Sequence, residues 1–206
     1  MLIITGVVLL LAGSATSESQ QRQCLCKEEF NPCLAGAIKD VQECGDKCKS
    51  HVTKLGASYD EFRKCLDVHV PRLETTIDCV HKKFGKVCAD KAGPMVTRRY
   101  PETIQLAAFR EITSMLNKSG LLAQATQLMA VGRKAAGCMM KCAHAGRCLK
   151  IPCSLDIPSD NDIVSTSKAC AIESGFNTAL AKEICACLVG AGLKQVEPLC
   201  PKLDIS

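Results

Sequence analysis

Residues 31–48 read NPCLAGAIKDVQECGDKC. Asn31 stands as a cap before Pro32, a residue suited to the first turn of a helix. At about 100° per residue, Cys33, Ala37, Val41, Cys44 and Cys48, followed by Leu55, fall on one narrow face. Three of those six side chains are cysteines. Two cysteines four apart on a helix lie one above the other and do not bond each other comfortably, so Cys44 and Cys48 each require a partner on a neighbouring helix. The stretch predicts a helix cross-linked along its apolar face.

The same pattern extends outward in both directions. The chain carries sixteen cysteines: Cys24, Cys26, Cys33, Cys44, Cys48, Cys65, Cys79 and Cys88, then none until Cys138, Cys142, Cys148, Cys153, Cys170, Cys185, Cys187 and Cys200. This divides the chain into an N-terminal cysteine-rich cluster (18–88), a cysteine-free middle (89–137) and a C-terminal cysteine-rich cluster (138–206). Both clusters hold a Cys-x-x-Lys-Cys element (Cys44 to Cys48, Cys138 to Cys142) and a Cys-x-Cys (Cys24/Cys26, Cys185/Cys187), the kind of sharing that two related halves would show. The even count predicts complete pairing into eight disulfides; the connectivity is left open by spacing.

Helical signals recur along the rest of the chain. Ser58-Tyr59-Asp60-Glu61 has the form of a capping box, and Phe62, Cys65 and His69 continue it up to Pro71. Leu73, Ile77, Val80, Phe84 and Cys88 make the apolar face of a third helix, with Cys79 turned toward a partner on another side. In the middle, Pro101 opens a helix carrying Ile104, Ala108, Ile112 and Met115, ended by Ser119-Gly120, and a second helix runs from Leu121 into Cys142. Further helices are expected near 164–174 and 178–189. The 152–162 segment, with Asp156, Asp160 and Asp162, reads as a turn. Strand signals are scarce, so the expected fold is all-α: a disulfide-stapled bundle of about six to eight helices.

Residues 1–17, MLIITGVVLLLAGSATS, are an uncharged apolar run followed by small residues, the pattern of a cleaved secretory leader. No later stretch has the 18 or so apolar residues that a membrane span requires. Every cysteine follows this leader at a density of about one residue in twelve, which is a disulfide scaffold in an oxidising compartment and not a cytosolic enzyme. The product is expected to be secreted and extracellular. Asn117-Lys118-Ser119 is a glycosylation sequon between two helical patterns.

Charge is uneven. Segment 89–150 carries ten basic and three acidic residues, against four and seven in 151–206. Arg98, Arg99, Arg133 and Lys134 are the candidate anion-binding residues, with a sulfated glycan or another extracellular polyanion as partner. Nucleic acid is not expected as a partner: two Tyr and no Trp leave few stacking platforms. Catalytic patterns are missing as well. Asp78-Cys79-Val80-His81 is followed by Lys82, where a secreted phospholipase A2 needs an aspartate, and the glycine-rich calcium loop is absent. Cys44, Cys48, His51 and Cys65 imitate zinc spacing, but such cysteines pair as disulfides in an oxidising lumen. Neither a catalytic site, a metal nor a cofactor is expected.

At Cys24-Leu25-Cys26, Cys44 to Cys48, Phe62-x-x-Cys65-Leu66 and Cys138 to Cys142 the chain resembles the secreted cysteine-rich helical proteins of nematodes that include the chondroitin proteoglycan 4 domain. That resemblance implies an extracellular, matrix-associated core protein, with Ser174-Gly175 or Ser119-Gly120 as sites for a sugar chain. The expected function is a secreted, non-enzymatic binding or matrix protein of unknown partner. Two further expectations stand beside it. A carrier of lipid or another small apolar ligand would use the stripe Leu121, Leu122, Leu128, Met129, Met139 and Met140; a modulator or inhibitor of another protein would use the basic middle.

Overall fold

A computed structural model of the chain describes residues 19–146 and 148–205; the leader at 1–17 and Arg147 lie outside the described residues. Eight α-helices form: α1 (Asn31–Lys47), α2 (Ser50–Thr53), α3 (Tyr59–Asp67), α4 (Val70–Phe84), α5 (Pro101–Lys118), α6 (Leu122–Ala145), α7 (Asp160–Glu173) and α8 (Thr178–Gly190). The protein is a disulfide-stapled all-α bundle, at the upper end of the expected helix number.

All sixteen cysteines are paired. Cys33 and Cys44 of α1 and Cys48 at its C-cap bond Cys148, Cys142 and Cys138, so partner numbers fall as α1 numbers rise. This locks α1 and α6 together as antiparallel neighbours, and the two Cys-x-x-Lys-Cys elements are each other's partners. Their Cα atoms sit 5.6 and 5.9 Å apart, the spacing that lets one turn on each helix form two bridges side by side. Cys65–Cys187 joins α3 to α8, and Cys79–Cys170 joins α4 to α7. Cys24–Cys153 and Cys26–Cys88 fix the N-terminal segment, and Cys185–Cys200 closes the C-terminus onto α8. The bridges do not keep to the two cysteine clusters: six of the eight run between them.

The core is correspondingly rich in sulfur. Seven of the seventeen buried apolar residues are cysteines, which fill the space that large aromatics would occupy in a chain less poor in them. The middle of the chain is held differently. Leu121, at 1 % exposure, and Ala125 pack against Leu199, with Leu116, Leu128, Met129 and Leu203 around them. The C-terminal tail thus covers the turn between α5 and α6. The helix α6 runs unbroken from this apolar cluster to its bridges with α1, passing through the position where the cysteine-free segment ends.

Three local readings are corrected. Asn31 is the first residue of α1 and not its cap; Phe30 holds that position with no side-chain bond, because Cys26–Phe30 already forms a wide helical turn leading in. Asp160 and Asp162 belong to the first turn of α7 and not to an open turn: the amide of Asp162 donates to Ser159 Oγ at 3.3 Å, and the two carboxylates complement the positive end of the helix dipole. Finally, strands do occur. β1 (Gln20–Arg22) pairs antiparallel with β2 (Met95–Thr97), Gln21 opposite Val96. Cys24 then donates to Ser154 O at 2.9 Å and Cys26 to Ala89 O at 2.8 Å. The N-terminal segment is therefore extended and inserted between two loops, where its backbone groups find partners. The expected cap at Ser58 does form, accepting from the amide of Glu61 at 3.4 Å.

Candidate functional site

Of the concavities among the described residues, two combine apolar walls with contributions from several stapled elements. The first is an apolar groove of about 460 Å³. Its lining comes from α1 (Ile38, Val41), α3 (Leu66), α4 (Leu73), α6 (Met139) and α8 (Ile184), with Phe176 just before α8. On α1, Cys44 and the C-cap Cys48 are committed to α6, yet Val41, expected on the same face, is left largely uncovered. Val41 is 55 % exposed, Leu66 41 % and Leu73 40 %. Singly, exposed apolar residues are ordinary; three converging on one hollow are not.

The polar groups at the rim bind one another. Arg63 pairs with Asp46 and, at 3.1 Å, with Asp67; Tyr59 Oη donates to Asp46 at 3.0 Å and Gln42 to Asp67 at 3.3 Å. Hydrogen bonding from Arg63 and then Tyr59 holds the Asp46 carboxyl below its usual range, while burial and then the Asp46 bond push the Tyr59 phenol up to about 12. With these charges paired and His69 the further titratable side chain at its edge, what the groove provides is mainly apolar surface. Phe176 and Ile184 also line an adjoining hollow of about 320 Å³.

The second concavity, a cleft of about 510 Å³, lies between the start of α1, the entry to α5, the end of α6 and the 151–157 loop. It combines apolar walls with Arg98, Arg99, Glu29, Glu102 and His144. Arg98 stacks on the Tyr100 ring, its guanidinium carbon 4.7 Å from the ring centre. His144 Nε2 meets Glu102 Oε1 at 2.7 Å, and Glu29 is bound by Arg22 and by the Leu25 amide.

The four candidate anion-binding residues do not form one patch. Arg98 and Arg99 lie at the cleft, whereas Arg133 stacks over Phe109 at 5.7 Å and Lys134 is exposed beside it on α6. Eleven residues of helix, about 16 Å at 1.5 Å per residue, separate Arg133 from His144 at the cleft. Of the Leu and Met stripe, Leu121, Leu128 and Met129 are core, and Met139 reaches the groove. Asn117 is exposed in the last turn of α5, with room for a glycan. Ser119 and Ser174 of the two Ser-Gly pairs both stand at helix C-caps, Ser119 Oγ bonding Met115 O at 3.0 Å.

Cys44, Cys48 and Cys65, which imitate zinc spacing, are all in disulfides. Among the described residues, the two groupings with ligand-like geometry, Cys24–Cys153 with Glu29 and Cys79–Cys170 with Glu173, are each a disulfide beside one carboxylate, and such sulfurs carry no thiolate charge. Among the described residues no helix is long and apolar enough to cross a membrane. Sequence reading missed the groove because its walls come from five helices, and it missed the His144–Glu102 pair because 42 residues separate the partners. Comparison of the chain with protein-family models, curated proteins and solved structures finds no match.

Proposed function

We propose that this chain is an exported, non-enzymatic binding protein that carries a small apolar ligand in the groove between α1, α3, α4, α6 and α8. The observation that carries the reading is the groove itself: about 460 Å³, within the usual range for small-molecule sites, with apolar walls and a rim whose charges satisfy each other. Full oxidation of sixteen cysteines and the apolar leader support export to an oxidising compartment. Stapling suits a carrier, because a frame fixed by covalent bridges keeps an apolar hollow open where an unstapled bundle would collapse onto it.

The test uses disulfide-intact protein and an environment-sensitive apolar dye. Saturable dye binding is expected, weakened at least about tenfold in the double variant Val41→Asp/Leu66→Asp, which places two carboxylates at the groove mouth. Both positions are exposed, so the fold should survive, as circular dichroism would show. Absence of saturable binding, or equal binding by the variant, would overturn the proposal.

A further inference from the structure

Two guanidinium groups line the 510 Å³ cleft with no carboxylate bound to them among the described residues: Arg98, which stacks on Tyr100, and Arg99. Glu29 is engaged by Arg22, and Glu102 by His144. The backbone of Arg99 is tied down, its amide donating to Ser154 Oγ at 3.4 Å, but its guanidinium has no carboxylate, and the buried Nε has no hydrogen-bond partner among the described residues. A guanidinium carries five N–H groups in a planar fork; with Nε shut off from solvent, the Nη groups of Arg99, which lines the cleft, are the donors open to an acceptor supplied from outside.

The surroundings restrict what that acceptor is. Phe30, Leu34, Ile104 and Ile151 line the same cleft, a surface for an apolar body and not for a sugar. Glu29 and Glu102 also face it, so a doubly charged phosphate would meet two carboxylates, whereas a single planar carboxylate matches one guanidinium edge. Arg98, stacked on Tyr100, adds positive charge nearby. We infer that Arg99 anchors the carboxylate of a small amphipathic monocarboxylic acid, fatty-acid-like in chemistry, whose apolar part lies along Phe30, Leu34, Ile104 and Ile151. This is a site separate from the groove, and it gives Arg99 a role that Arg133, seated over Phe109 on another part of α6, does not share.

Titration calorimetry with decanoate, and with decanol as the uncharged counterpart, decides the matter. Wild-type protein is expected to bind the acid about tenfold or more tightly than the alcohol, the gain of a charge-assisted hydrogen-bond pair. Arg99→Gln should remove that preference while leaving alcohol affinity unchanged, and Arg133→Gln should keep it. Equal affinity of acid and alcohol in wild type sinks the idea by itself, whether or not Arg99→Gln folds. A preference that persists in Arg99→Gln but vanishes in Val41→Asp/Leu66→Asp would place the acid in the groove, overturning this inference while leaving the proposed function standing.

Discussion

Glu29 shows how single residues secure the N-terminal segment. Its carboxylate accepts from Arg22 Nη1 at 2.8 Å and from the Leu25 amide at 2.7 Å, bracing the chain where it turns from β1 into α1. The Arg22 hydrogen bond, and then the backbone one, lower its pKa from 4.5 to about 2. Because the folded value lies below the unfolded one, the stabilisation is complete above pH 4.5 and is lost as pH falls from there toward 2. Thermal denaturation should therefore show a steeper loss of Tm across that window in wild type than in Glu29→Gln. Equal slopes would mean that the contact contributes nothing. Gly192 illustrates a different constraint: its φ of +102° is one that L side chains rarely adopt, and a Cβ there would lie 2.9 Å from Gly56 O. That close approach brings the end of α8 against the junction before α3, where Ser58 N donates to Ala191 O at 2.8 Å.

Among the elements, α1 with its C-cap Cys48 is the most heavily linked, with two bridges into α6 and a third to Cys148 in the short turn just beyond α6. Neighbouring bridges of this kind share their effect. With Cys44–Cys142 intact, the loop closed by Cys48–Cys138 amounts to about eight residues, four on each helix, so its loss releases less chain entropy than its sequence separation of 90 would suggest. The double variant Cys48→Ala/Cys138→Ala is expected to lose about 2–3 kcal/mol by denaturant titration while retaining its helical content. A loss near zero would show that the second bridge is redundant. The pairing of this element was partly legible: the i, i+4 cysteines of residues 31–48 require a neighbouring helix. The choice of neighbour was not, because any of the later cysteines satisfies the spacing equally well.

At the scale of the whole molecule, the bridges make one covalent body. Of the eight cysteines between Cys24 and Cys88, only Cys26 and Cys88 bond each other; the other six have partners at or beyond Cys138. A fragment ending at residue 88 should therefore lack stable helical structure and carry free or scrambled thiols, as circular dichroism and thiol-alkylation mass spectrometry would detect. A well-folded fragment with uniform pairing would contradict this view. The sequence alone determined the helical class, most helix boundaries, the capping serine at Ser58 and the oxidised state of the cysteines, because periodicity, caps and cysteine density are local or compositional. It did not determine the inserted strand at 20–22, whose residues are polar and whose pairing with 95–97 is non-local. Nor did it determine the separation of Arg98 and Arg99 from Arg133 and Lys134, or the groove itself. Those depend on which helix faces are turned toward each other, and tertiary pairing decides that: the bridges fix which elements meet, and Val41, although it shares the cysteine face of α1, is left with Leu66 and Leu73 at the open hollow.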